Sequence, residues 1–159
     1  MTDAATLVGL LRQRGETVGC AESLTGGLVC ATLVAVPGAS HVVRGAIVAY
    51  AVDLKTSLLG VDDQLLATSG AVTAATAEAM ARGAAERLGA TYGLATTGVA
   101  GPDPSEGKPA GTVHVAVAGP DCVHGRLLQL EGDRDGVRRG SVVAVLELLA
   151  ELLRPTADG

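Results

Sequence analysis

The chain of 159 residues carries a formal net charge of −5, with 48% hydrophobic and 18% charged residues, a size and balance that suit one globular core over residues 1–159 and exclude a disordered polymer. There is no Trp and no Phe, and the two tyrosines are Tyr50 and Tyr92. The scarcity of aromatics argues against a base-stacking surface for single-stranded nucleic acid, and the acidic balance argues likewise against a basic duplex-binding face.

The core must be built from Val, Leu, Ala and Ile, which suits closely spaced helix and sheet layers. Thr2 or Asp3 caps a first helix that carries Leu7, Leu10 and Leu11 on one face and ends at Gly15. Glu16 to Ala21 reads as the first strand. Glu22, Ser23 and Thr25 follow, and Gly26-Gly27 open an apolar segment, Leu28 to Val36, of short-helix length. Pro37-Gly38 breaks the chain. Val42 to Tyr50 is the near-continuous apolar run of a strand covered on both faces.

Asp53 to Leu59 is a helical turn stopped by Gly60, and Asp62-Asp63 begins another helical piece. Thr73 caps an alanine-rich helix that ends at Gly89. Tyr92 to Thr97 is the third strand, and a Gly- and Pro-containing loop, Gly98 to Gly111, leads to the fourth, Thr112 to Ala118. Gly119-Pro120-Asp121 signals a hairpin into Val123 to Leu130. The last helix runs from Asp133 to Leu153, with Val142, Val145, Leu146, Leu149 and Leu152 turned inward and a frayed tail from Pro155. Strands alternating with helices and ending in a hairpin predict a three-layer α/β/α sandwich on a mixed, mostly parallel sheet of about five strands.

Cys20, Cys30 and Cys122 follow no zinc spacing and read as buried, reduced thiols of a cytoplasmic protein. The N-terminus lacks the basic and apolar regions of a signal peptide, and no apolar run approaches the ~20 residues of a membrane span. No metal or cofactor motif is present: the glycine turns lack the order of a P-loop or a dinucleotide fingerprint.

Chemistry concentrates where strands end. A serine at a strand-to-helix turn lies at the carboxyl edge of the sheet, where open α/β proteins bind ligands. Ser23 there is a candidate nucleophile, and Thr25, Gly26 and Gly27 offer a hydroxyl and amides to an anion; alternatively, Ser23 or Thr25 is a plain helix N-cap. If the first two strands are parallel neighbours, Tyr50 and Lys55 converge on Ser23. A lysine accepts the serine proton only when neutral, which partial burial favours, and Tyr50 would orient the amine or relay a proton. The alternative is a solvated Lys55 and a packed Tyr50. Thr97, Gly98 and Gly101 form a second glycine turn at the same edge, suited to an oxyanion or phosphate. Arg134, with Arg138 a turn later, supplies a guanidinium or else forms a solvated face. A triad through His114 is the weaker reading, since His114 lies inside a strand.

These residues carry a resemblance. Ala21-Glu22-Ser23-Leu24-Thr25-Gly26-Gly27, Pro37-Gly38-Ala39-Ser40, Arg44 to Tyr50, Lys55, Leu59-Gly60-Val61, Gly70-Ala71-Val72, Thr97 to Pro102 and Gly132-Asp133-Arg134 together resemble the CinA C-terminal domain family. CinA is a competence/damage-inducible protein, and stand-alone members of the family are nicotinamide-nucleotide amidohydrolases.

The resemblance implies deamidation of nicotinamide mononucleotide (NMN) to nicotinic acid mononucleotide and ammonia in pyridine-nucleotide recycling. Ser23 would be the nucleophile, assisted by Tyr50 and Lys55, with Thr97 in the same site. It further implies no metal or organic cofactor, a small nucleotide substrate rather than nucleic acid or membrane, and a homodimer or higher homo-oligomer. The chain departs from the family pattern at Leu24, where Cys is usual, and at Ala51-Val52, where a Ser-Asn pair is usual. The loop Asp103 to Pro109 is also leaner in glycine, and Glu131 replaces a common proline. Two rival expectations are a pyridine-nucleotide-binding domain without turnover and an interaction role in competence or DNA damage.

Overall fold

The computed structural model describes residues 2–154, so the tail expected to fray from Pro155 lies outside the described residues. Helix α1 (Ala4–Arg14) begins at Asp3, whose carboxylate accepts the Thr6 N–H at 2.7 Å, and ends at Gly15. Strand β1 (Val18–Glu22) leads through the Ser23–Gly27 turn to α2 (Leu28–Val34). The helix ends at Val34, with Ala35 still in helical backbone, and cannot run on through Pro37 because the residue before a proline, Val36, is disfavoured in the helical region. A 3-10 turn (Ala39–His41) precedes β2 (Val43–Val48).

Three helices follow: α3 (Val52–Leu59), α4 (Asp63–Ser69) and α5 (Ala74–Leu88), the last capped by Thr73 and closed by Gly89. Then come β3 (Tyr92–Gly98), β4 (Thr112–Ala118), β5 (Val123–Gln129) and α6 (Arg134–Leu153). Asp133 caps α6 by accepting the Gly136 N–H at 2.8 Å.

The sheet order is β2-β1-β3-β4-β5. β1 pairs in parallel with β2 and β3, while β3–β4 and β4–β5 are antiparallel. This is the expected mixed α/β/α sandwich, with α1, α2 and α6 on one face and α3, α4 and α5 on the other. From β1 the chain steps to one side, to β2, and then crosses back to β3 on the other. Two crossovers of one hand running in opposite directions need opposite faces, and α2 and α5 lie on opposite faces. The carboxyl end of β1 is thus the switch point of the sheet, where a crevice opens.

Strand alternation divides the core. In β4, Val113, Val115 and Val117 face α1 and α6, whereas Ala116 and Ala118 face α5. The α5 side is alanine-rich, and helix and sheet approach closely there. A methyl group placed on Gly93 would lie 1.9 Å from the Ala81 carbonyl oxygen, so only glycine fits.

The structure differs from the sequence reading at two of the three cysteines, since Cys122 is exposed in the β4–β5 turn and Cys30 only half-buried, and at β2. Its apolar run belongs to an edge strand, with Arg44 and Val48 exposed, rather than to a strand covered on both faces. Continuous apolar composition does not reveal which strand the fold leaves at the border. Ladder pairing also ends at Val48, two residues before Tyr50, which frees the next carbonyls for other partners.

Candidate active site

Ser23 stands at the switch point, in a cleft of about 480 Å3 lined by the ends of β1, β2 and β3, the turn before α5, the second glycine loop and Arg134. This volume lies in the range of small-molecule sites. The Ser23 N–H donates to the Thr96 carbonyl at 3.1 Å, fixing the serine to β3.

Lys55, in the first turn of α3, is buried at 1% exposure. Its Nζ lies 3.0 Å from Ser23 Oγ, 2.7 Å from the Ala49 carbonyl oxygen and 3.4 Å from that of Tyr50. Burial lowers the ammonium pKa to about 8, with the carboxylate of Glu106 pulling the other way. Three acceptors match the three donors of an ammonium. In the neutral amine, two N–H groups serve the carbonyls and the lone pair is left facing the serine hydroxyl.

The Tyr50 phenol does not join this pair. It is exposed, and its Oη accepts from Arg134 Nη2 at 3.2 Å. The part of Tyr50 that meets Lys55 is the main-chain carbonyl. Arg134 also donates to the Gly101 carbonyl at 2.6 Å, which ties the second glycine loop to the start of α6.

Of the two glycine turns expected to present amides to a ligand, the first uses them within the protein. Glu22 is fully buried, and its carboxylate accepts the N–H groups of Gly27 at 3.2 Å, Val29 at 2.9 Å and Cys30 at 3.0 Å. The Gly26 N–H donates to the Ser23 carbonyl. Gly26 and Gly27 have φ of 58° and 107°, backbone that favours glycine and that brings these amides round to the carboxylate. Thr25 is buried, with Oγ1 2.8 Å from Thr96 Oγ1. Thr25, Gly26 and Gly27 therefore do not line the cleft. Neither Ser23 nor Thr25 caps α2 through its side chain; Glu22 does.

The second turn is different. Thr97, Gly98 and Gly101 all line the cleft. Among the described residues, the N–H groups of Ala100 and Gly101, like that of Leu24, make no hydrogen bond and remain available. The Thr97 hydroxyl donates to the Ala71 carbonyl at 2.8 Å and so supports the cleft wall. Arg138 donates to the carbonyls of Leu24 at 2.9 Å and Thr25 at 3.2 Å, holding the serine turn rather than facing the cleft. His114 sits in β4 outside the cleft, its pKa lowered by burial and by Lys108.

Sequence reading assigned no role to Glu22, Glu106 or the Ala71–Val72 wall. Glu22 leaves a signal: it is the one acid in an apolar strand, and a buried carboxylate needs donors, the nearest being a helix N-terminus. Glu106 leaves none, because its partners lie 34 and 35 residues away.

Fold and cleft together define an α/β/α-sandwich domain organised around a serine–lysine pocket. The chain belongs to the CinA C-terminal domain family, whose model matches residues 2–153. A CinA-like protein of Frankia casuarinae is 55% identical over 147 residues, covering 92% of this chain and 34% of its own length. One from Gloeobacter violaceus is 48% identical over 151 residues, covering 93% and 35%. The chain thus spans about a third of these curated relatives.

Solved structures match over nearly their whole length. The competence/damage inducible protein CihA from Agrobacterium tumefaciens is 37% identical with a TM-score of 0.91, covering 95% of this chain and 93% of its own. A CinA superfamily protein from Klebsiella pneumoniae is 30% identical with a TM-score of 0.92, covering 94% of each. Among the described residues, no helix is long and apolar enough to cross a membrane, and no cluster of His, Cys, Asp and Glu could hold a metal ion.

Proposed function

We propose that this domain is a nicotinamide-nucleotide amidohydrolase that converts NMN and water to nicotinic acid mononucleotide and ammonia. The observation that carries the reading is a buried amine, its pKa lowered to about 8, 3.0 Å from a serine hydroxyl at the switch point of the sheet. Neutral Lys55 takes the Ser23 proton as Oγ attacks the carboxamide carbon. The tetrahedral oxyanion faces the Leu24 N–H, the free amide beside the nucleophile. Lys55 returns the proton to the amide nitrogen, the C–N bond breaks and ammonia leaves. Water then adds to the acyl-enzyme with Lys55 again as base, and the carboxylic acid departs as Ser23 regains its proton. The amides of Ala100 and Gly101 and the Arg134 guanidinium suit the 5′-phosphate. The proposal extends to a homo-oligomer working in the cytoplasm.

Ammonia release from NMN by the purified protein tests the reading. Activity in the wild type, lost in Ser23→Ala while NMN still binds, supports it; a wild type that binds NMN without releasing ammonia overturns it. That second outcome is the binding-domain reading, favoured by one feature: apolar Val52 lines the cleft where the family pattern has a polar residue.

A further inference from the structure

The second glycine loop is tied to the turn between α4 and α5 mainly through side chains. Glu106 accepts the Ala71 N–H at 3.0 Å through one carboxylate oxygen and the Val72 N–H at 3.0 Å through the other. Lys108 donates to the Val72 carbonyl. From the opposite side, Thr97 Oγ1 holds the Ala71 carbonyl and Thr76 Oγ1 the Gly70 carbonyl, each at 2.8 Å. Ala71 and Val72 form a wall of the cleft that contains Ser23 and Lys55, and Glu106 lines that cleft too. Among the described residues, Glu106 is also the one non-glycine with positive φ, 52°, the backbone that it and Gly107 (φ 71°) adopt as the central pair of the tight turn closed by Ser105 and Lys108.

Glu106 and Lys55 line the same cleft, and there the carboxylate favours the charged amine against the burial that lowers its pKa. Other charged groups around the amine are engaged elsewhere or exposed. Glu22 is turned into α2 by three amides. Asp53 on α3 and Asp103 on the loop are exposed, as is Glu106, but among the described residues only the Glu106 carboxylate is held in place at the cleft, by the Ala71 and Val72 amides. Arg134 binds the Gly101 carbonyl and the Tyr50 phenol, and Lys108 the Val72 carbonyl.

We propose that Glu106 is a positioning residue for the Ser23–Lys55 pair: its carboxylate latches the Ala71–Val72 wall to the second glycine loop and supplies the negative charge against which Lys55 is set. Burial alone would push the amine further toward neutrality. With Glu106 opposing it, Lys55 stays where it can both take and return a proton. The catalytic meaning rests on the amidohydrolase reading, but the latch and the charge do not.

The chain contains two lysines, Lys55 and Lys108, so protein grown on ε-13C-lysine gives two side-chain NMR signals, assigned with Lys108→Arg. Wild-type Lys55 should titrate at about 8. Glu106→Gln should lower that midpoint by about half a pH unit, the scale of one partly screened charge, and speed hydrogen exchange at the Ala71 and Val72 amides. Glu106→Asp keeps the charge on a shorter stem. It should leave the midpoint within about 0.2 of wild type while the same amides exchange faster.

An unmoved or raised midpoint in Glu106→Gln, or an equal fall in Glu106→Asp, overturns the charge role. Unchanged exchange overturns the latch. If the Gln variant does not fold, Glu106→Met, which also removes the charge, takes its place: the same fall in midpoint and the same faster exchange are expected, and an unmoved midpoint overturns the charge role. None of these readouts needs turnover, so a wild type that releases no ammonia defeats the proposed function and leaves this test standing. In an active protein, the rising limb of kcat/KM in Glu106→Gln should move to lower pH together with the NMR midpoint.

Discussion

Lys55 reaches back to the carbonyl of Ala49, six residues before it, at 2.7 Å. The amine is thus anchored to the corner between β2 and α3 by main-chain acceptors that no side-chain substitution removes. Because the Tyr50 phenol makes no contact with the pair, Tyr50→Phe should leave kcat for ammonia release within about tenfold of wild type. Lys55→Arg keeps a cation but cannot supply a neutral base, and should reduce kcat by about a thousandfold or more. Initial rates of ammonia release check both; a Tyr50→Phe loss as deep as that of Lys55→Arg would return the phenol to the proton path.

Stability should carry the signature of the buried amine. The Lys55 pKa falls from 10.5 to about 8 on folding, so between these values the unfolded chain binds more protons and stability rises with pH. Below about pH 8 the amine is charged in both states and its burial opposes folding. The gain from about pH 8 to about 9.5 should be about 1.5 kcal/mol. Urea unfolding of wild type and Lys55→Met at both pH values isolates it, since the variant lacks the group and should lack this part of the rise.

Glu22 joins β1 to the start of α2 with one carboxylate. Glu22→Ala would leave three amides without their acceptor beside an emptied buried site, and should cost about 3–5 kcal/mol. Glu22→Gln keeps one acceptor oxygen and should cost less. Denaturant midpoints rank the two variants, and an Ala variant within 1 kcal/mol of wild type would show the helix start to be held by other contacts.

Helix α3, which delivers Lys55, starts without a side-chain cap. Ala51 is its N-cap, with extended backbone at φ −69° and ψ 146° and no capping hydrogen bond. This backbone already suits a capping serine, the residue that the family pattern places there. Ala51→Ser should therefore stabilise the protein by about 1 kcal/mol. Thermal melts measure the gain, and an unchanged melting temperature would mean that the new hydroxyl prefers water.

Much of the fold is legible because its signals are local. Gly15, Gly60 and Gly89 end helices, Asp3, Thr73 and Asp133 begin them, and the β4–β5 hairpin follows from Gly119-Pro120-Asp121. The convergence of Ser23 with Lys55 needs one further assumption, that β1 and β2 are parallel neighbours, and the sheet has that pairing. Border position, by contrast, cannot be read from the apolar run of β2, since exposure there depends on a strand that is missing from the sheet rather than on any residue present.

By itself, then, the amino-acid order determined where helices and strands begin, the layered α/β/α class and the residues that gather at the carboxyl edge of the sheet. These depend on backbone preferences and apolar periodicity within a few residues. Tertiary structure alone decided that the first glycine turn gives its amides to Glu22, that Lys55 meets main-chain carbonyls rather than a phenol, and that Glu106 closes the far wall. Each of these outcomes is a competition among donors and acceptors brought together by packing. Such a competition is settled by distances of about 3 Å between segments remote in sequence, which no local pattern encodes.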